Sequence, residues 1–272
     1  MLQDPQLGAV RLTGALRTEV GSDTVLLVTH GLGGEPHRAY CVRAARAAQR
    51  AGISCLRLAL RGADRLGEDY YHAGLTEDIA AALTSPELAG YANVLLLGYS
   101  MGGHTALLAA VRRIDPRIRA VCAICPPLDL AAGQRAIDRP ARVVYRRHVL
   151  NALNEIYRAV ARRRPVPAPV EVVERARTIR ERDALVICPR FGFRDPDDYY
   201  YRAGVVHVLH DLELPALVVA GVADPMVPPE TLRGPLERAS PALEVRWIAG
   251  GGHVFFREPV EDQALGWMLE RR

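Results

Sequence analysis

Apolar runs recur along the chain at intervals that suit the strands of a buried sheet. Thr24 to Thr29, Ile53 to Leu58, Val94 to Leu97, Ile118 to Ile124, Ala216 to Gly221 and Glu244 to Ile248 predict six strands. Most of these runs lack the in-and-out alternation of a half-exposed strand, which is the mark of a parallel sheet covered on both faces. Helical spacing fills the gaps, at Pro36 to Arg50, Thr76 to Leu83, Thr105 to Val111, Pro229 to Ala239 and Pro259 to Glu270. Glu77 and Asp78 put negative charge in the first turn of the second of these helices, where the helix dipole favours it. Residues 8–20 alternate weakly and predict one or two edge strands. Arg61 to Gly74 reads as a long polar loop.

From Asp129 to about Leu212 the period changes. The pattern becomes helical, rich in arginine, and interrupted by Pro165, Pro167 and Pro169. Strand–helix alternation on both sides of a helical insert predicts an α/β fold with a mostly parallel central sheet flanked by helices. Residues 1–128 and 213–272 would form one core domain, and residues 129–212 a helical cap insertion.

Between the Val94 strand and the Thr105 helix lies Gly98-Tyr-Ser-Met-Gly, the G-x-S-x-G spacing of a nucleophile elbow. A serine on a tight strand-to-helix turn is pushed out of the sheet, and glycines two residues to either side leave the room that this turn needs. The same turn sets Ser100 at a helix N-terminus, where free N–H groups favour developing negative charge. A serine hydroxyl also needs a base, and the base an orienting carboxylate. On sheets of this kind they follow in the order serine, acid, histidine. Asp224 comes directly after the Ala216 strand, and His253 directly after the Glu244 strand behind a run of glycines. Asp129, which also follows a strand, is the rival acid. An oxyanion hole needs the N–H of the residue after the nucleophile, Met101, and one from the loop after an early strand. His30-Gly-Leu-Gly-Gly is that loop, with Leu32 as the donor and His30 as a brace. The remaining histidines stand in the wrong order or on helices.

Charge and cysteine content alter this picture little. The chain has 272 residues and a net charge of +4, and every one of its 35 basic residues is arginine. Thirteen of these arginines lie between Arg135 and Arg182, against five carboxylates, so the insert is strongly basic. Such a surface has two readings, a patch that attracts anionic membrane surfaces or acidic substrates, or an outer helical face solvated by arginine. Its apolar members, Val143, Val144, Val149, Leu150, Leu153 and Ile156, are expected to wall an acyl pocket or pack on the sheet. No nucleic-acid motif accompanies the charge, so no nucleic-acid partner is expected. The five cysteines are scattered among apolar neighbours and read as small buried hydrophobes, Cys122-Ala-Ile-Cys included. No apolar run approaches the length of a transmembrane segment, and the N-terminus lacks the pattern of a signal peptide. Cytoplasmic residence is the expectation.

Six segments together resemble the YheT-like branch of the α/β-hydrolase fold. They are His30-Gly-Leu-Gly-Gly, Leu58-Ala-Leu-Arg-Gly, Tyr71-His-Ala-Gly-Leu-Thr-Glu-Asp, Gly98-Tyr-Ser-Met-Gly-Gly, Pro126-Pro-Leu-Asp and Phe191-Gly-Phe-Arg-Asp-Pro-Asp-Asp-Tyr-Tyr. That branch is similar to the medium-chain fatty-acid ester synthases/esterases and to abhydrolase-domain lipases. The resemblance implies nucleophile Ser100, acid Asp224 and base His253, in agreement with the reading above. It also implies hydrolysis of small-molecule carboxylic esters, or acyl transfer to an alcohol, without a metal or organic cofactor. Members of the branch carry a longer segment before the first sheet strands, often an acidic residue near Gly33, and often asparagine where this chain has His104. Thioesterase and lactonase chemistry would use the same residues. A non-catalytic binding protein on this fold usually lacks one of them.

Overall fold

A computed structural model describes residues 2–272. The chain opens with an antiparallel hairpin, β1 (Leu2–Asp4) and β2 (Gly8–Val10), that lies apart from the main sheet. There follow β3 (Thr13–Arg17), β4 (Thr24–Thr29), α1 (Ala39–Arg50), β5 (Ser54–Ala59), α2 (Glu77–Leu83), β6 (Asn93–Tyr99), α3 (Met101–Val111) and β7 (Ile118–Ile124). Six helices come next, α4 (Leu130–Ile137), α5 (Val143–Ala161), α6 (Val170–Val173), α7 (Ile179–Leu185), α8 (Ile187–Phe191) and α9 (Pro196–Ala203). The chain closes with β8 (Ala216–Gly221), α10 (Arg233–Glu237), β9 (Leu243–Ile248) and α11 (Val260–Leu269).

Seven strands form one sheet in the order β3-β5-β4-β6-β7-β8-β9, antiparallel only where β3 meets β5. All six residues of β4 and all six of β8 are buried, because helices cover both faces. Val25 and Leu27 of β4, with Val94 and Leu96 of β6, point to the side of α2, α3 and the insert. Leu26 and Val28, with Leu95 and Leu97, point to the side of α1 and α11. Each such side chain removed from water contributes about 1.5–3 kcal/mol.

The order of the strands positions the site. After β4 the chain runs to β5 on one side and then to β6 on the other, so the loops leaving β4 and β6 diverge from adjacent strand ends. A crevice at such a switch point is where open α/β sheets bind ligands. Register places Thr29 opposite Gly98, which brings the loop after β4 against the turn after β6.

Two predicted helices are shorter than the spacing suggests. The first begins at Ala39, after a turn closed by Arg38 N–H donating to Glu35 O at 3.2 Å. The Pro229–Ala239 segment splits into a 3₁₀ turn (Pro229–Thr231) and α10. Pro235 is the cause, since it has no N–H to continue a helix from the preceding turn. Val143 and Val144, expected to wall a pocket or pack on the sheet, are instead exposed at the start of α5.

The long loop between β5 and α2 is held by buried charge. Arg61 donates to Asp78 Oδ1 through Nε at 2.8 Å, and to Asp69 Oδ2 and Asp4 Oδ2 through Nη1 at 2.9 Å each. Arg190 of α8 grips the same Asp69 with Nε at 3.0 Å and Nη2 at 2.8 Å. Burial alone would raise Asp4, but the N–H groups of Gln6 and Leu7 and the Arg61 guanidinium bring it down to about 2. Removing one partner of such a buried network strands the others. Arg61→Leu is therefore expected to cost about 3–5 kcal/mol, measured as a drop in the urea midpoint, while Arg50→Leu on the exposed Asp262 pair costs below about 1 kcal/mol.

Candidate active site

Ser100 sits at φ 51°, ψ −122°, between the end of β6 and the first turn of α3. Its N–H donates to Ile124 O at 2.7 Å and its carbonyl accepts from His104 N–H at 3.1 Å, which pins the strained turn on both sides. A β-carbon at Gly98 would collide with the backbone of Gly102 and Gly103, and one at Gly102 with the backbone of Thr29 and His30. The two elbow glycines are thus required by close backbone approach.

Asp224 and His253 meet at the ends of β8 and β9. His253 Nδ1 lies 2.8 Å from Asp224 Oδ2, while Asp224 Oδ1 accepts from the N–H groups of Met226 at 2.8 Å and Val227 at 3.0 Å. Burial works to raise the Asp224 carboxyl, yet the His253 contact and these two N–H groups hold it below the usual carboxylate range. An ionised Asp224 accepts a hydrogen bond from Nδ1–H, which leaves Nε2 of a neutral imidazole as the basic nitrogen. The chain turns sharply around His253. Gly251 has φ 130°, and a side chain there would run into Phe255 and Phe256, whose strand-like bridge closes the loop.

Ser100, His253, Leu32 and Met101 all line one cavity of about 470 Å³, within the range of small-molecule sites. No hydrogen bond joins Ser100 Oγ to His253 among the described residues; such contacts often tighten only when substrate is present. In the loop after β4, Gly31 N–H donates to Tyr40 Oη at 3.3 Å, Gly33 N–H to Tyr71 Oη at 2.7 Å and Gly34 N–H to Gly31 O at 2.9 Å. Among the described residues the Leu32 N–H has no partner, and Met101 opens α3, where N–H groups lack helical acceptors. His30 accepts from Leu60 N–H through Nε2 at 3.2 Å and donates through Nδ1 to Gly31 O at 2.8 Å. Burial lowers it to about 4, so the ring is neutral and ties the loop to β5.

Asp129 takes another role: its Oδ1 caps α4 by accepting from Ala132 N–H at 2.9 Å. The other buried histidines also serve the fold. His104 sets its ring nitrogens 2.8 Å from Pro127 O and 2.9 Å from Ala203 O, and His72 stacks among Phe191, Phe193 and Tyr199.

Three groups escaped the sequence reading. Cys125 packs behind the acid, its sulfur within 4.8 Å of ligand atoms of Asp224 and His253. Burial, reinforced by the Asp224 charge, pushes this thiol well above its usual value. A protonated thiol beside an aspartate whose oxygens are already engaged is poorly suited to a metal, which requires thiolate. The other two are Arg182 and Asp183, which are buried on the inner face of α7 and line the cavity. Ile179 is buried three residues before Arg182, and that helical spacing was the available signal.

Comparison with known proteins identifies the family and the fold. The alpha/beta hydrolase family model matches residues 25–264, and the chain belongs to that family. An abhydrolase domain-containing protein of Dictyostelium discoideum is 25% identical over 254 residues, covering 88% of this chain and 63% of the relative. Phospholipase ABHD3 of Mus musculus is 23% identical over 261 residues, covering 93% of this chain and 63% of the relative. The chain thus spans a little under two thirds of the length of these curated relatives. Among solved structures, Est1E from Butyrivibrio proteoclasticus with bound ferulic acid superposes with a TM-score of 0.63 at 18% identity, covering 100% of this chain and 98% of that one. The monoacylglycerol lipase of Paleococcus ferrophilus gives 0.59 at 19% identity, covering 96% and 100%. At these identities the likeness is one of fold. No helix among the described residues is long and apolar enough to cross a membrane.

The Asp183 carboxyl, pushed by burial up to about 7, gives the site a pH signature. The unfolded chain releases this proton near the ordinary carboxylate value, about 4, whereas the folded chain keeps it to about 7. In that window the folded state binds the extra proton, so this group makes stability fall as pH rises. Urea melts at pH 4, 5.5 and 7 should show the stability of wild type relative to Asp183→Asn falling as pH rises, the Asn variant preserving an acceptor for the Tyr200 hydroxyl.

Proposed function

We propose that the protein is a serine ester hydrolase, with Ser100 as nucleophile, His253 as general base and Asp224 as the acid that orients it. One observation carries the reading. His253, held from behind by Asp224, and the Ser100 elbow open onto the same cavity, in the chain order that this family uses.

Ser100 Oγ attacks the ester carbonyl as His253 Nε2 takes its proton, and the oxyanion forms against the N–H groups of Leu32 and Met101. His253 then returns the proton to the departing alkoxide, leaving an acyl-enzyme. Water, deprotonated by His253, attacks the acyl group in turn and releases the acid and free Ser100. An alcohol in place of water would give acyl transfer. Asp224 stabilises the imidazolium at each stage, and a lost oxyanion donor would cost about 2.7–4 kcal/mol of transition-state stabilisation. Residues 129–212 act as a cap in this reading, since Leu153 of α5 and Ile179 of α7 face the cavity opposite the sheet. Apolar walls of this size suit short- to medium-chain acyl groups, and the six quoted segments support placement in the YheT-like branch. The esterase and phospholipase relatives support ester chemistry, while a thioesterase or lactonase would use the same three residues.

Hydrolysis of 4-nitrophenyl esters from two to sixteen acyl carbons tests the reading. Activity should peak at one chain length and fall by roughly three orders of magnitude or more in Ser100→Ala. Turnover unchanged in that variant would exclude Ser100 as the nucleophile.

A further inference from the structure

Arg182 stands in the cavity wall as a buried cation with no carboxylate in hydrogen-bonding contact among the described residues. Its residue is 2% exposed, and its one hydrogen bond among the described residues runs from Nη2 to Leu153 O at 3.2 Å. Nε is buried without a partner. The other deeply buried arginine, Arg61, is saturated by contrast, with carboxylates at 2.8 and 2.9 Å. No carboxylate pairs with Arg182 in that way among the described residues. Asp183, its neighbour in sequence, receives the Tyr200 hydroxyl at 2.8 Å, and burial keeps it protonated up to about 7.

A guanidinium cannot shed its charge to escape such a position. Burying an unpaired cation is costly, and an unsatisfied buried donor in a native structure calls for a reason. Here the cation lines the space that holds Ser100, with Leu153, Ile179 and Ile187 in the same lining and Asp183, Tyr70, Tyr71 and Tyr157 as its polar neighbours. Low dielectric surroundings strengthen attraction to an incoming anion, and the forked donors of arginine match the paired oxygens of a carboxylate or phosphate. Arg38, half-buried, adds a second cation to the lining.

We propose that Arg182 receives an oxyanion, carboxylate or phosphate, carried by the substrate in the Ser100 cavity. The word substrate rests on the serine-hydrolase reading; the anion site does not. An ester selected in this way carries its negative charge inside the cavity, beside the reacting carbonyl, instead of leaving it in solvent.

Binding measured without turnover keeps the two readings separate. Calorimetric titration of the full chain would compare the mono-N-methylamide of glutarate with its neutral shape-mimic N-methyl-5-methylhexanamide, and sn-glycerol 3-phosphate with glycerol. At least tenfold tighter binding of one anion over its neutral partner is expected, and the pair that shows it identifies a carboxylate or a phosphate ligand. The preference should disappear in Arg182→Met and Arg182→Gln and persist in part in Arg182→Lys. Replacing a buried charge by an apolar side chain of similar volume is often tolerated, and thermal melts would show that the variants are folded. Equal or undetectable binding in both pairs, or a preference that survives both neutral variants, would overturn the proposal. Loss of the Ser100-dependent ester hydrolysis assay alone would count against the serine-hydrolase reading and leave the anion site standing on its binding data.

Discussion

The Arg61 guanidinium ties together three parts of this molecule that are distant in sequence. It joins the N-terminal hairpin through Asp4, the long loop through Asp69 and the start of α2 through Asp78, and Asp69 passes the connection to Arg190 of α8. Without that dry network the loop between β5 and α2 would have little reason to hold one path. That loop delivers Tyr71, whose hydroxyl accepts from Gly33 N–H in the turn beside Ser100. A charge cluster some distance from Ser100 therefore sets the shape of the turn that faces it. The same cluster joins the insert to the sheet domain through Arg190.

Strands were legible where burial is complete. Thr24–Thr29 and Ala216–Gly221 have the predicted bounds because every residue in them meets a helix-covered face, so the apolar run and the strand coincide. The third partner of each contact was less legible. Tyr71 meeting Gly33 and Cys125 lying behind Asp224 are tertiary facts that no local period encodes. Ser100, Asp224 and His253 stood out because the elbow imposes a spacing and the strand ends impose an order. Asp224 also binds the N–H groups of Met226 and Val227, the local turn that an aspartate before a proline favours. The helix expected at Pro229–Ala239 shows the opposite limit, where apolar spacing outran the break imposed by Pro235.

Arg182 is the instructive omission. In a segment with thirteen arginines, charge class suggests a solvated surface, and most of the segment obeys. Helical spacing from Ile179 says otherwise for this residue, and packing followed the spacing. Asp183 shares the buried face and has its own partner in the Tyr200 hydroxyl. Polar residues on an inner helical face are thus divided between one that is satisfied and one that is left open toward the cavity.

The strand order has a consequence for how the molecule is made. After β4 and β5 pair, β6, β7, β8 and β9 each join the same growing edge in the order in which they are translated. Once β5 has settled between β3 and β4, a chain emerging from the ribosome can therefore extend its sheet one strand at a time from the β4 side. The turn bearing Ser100 can close onto Ile124 while the insert is still being synthesised. Asp224 and His253 arrive last, so the nascent protein holds the Ser100 turn well before the Asp224–His253 pair can form opposite it.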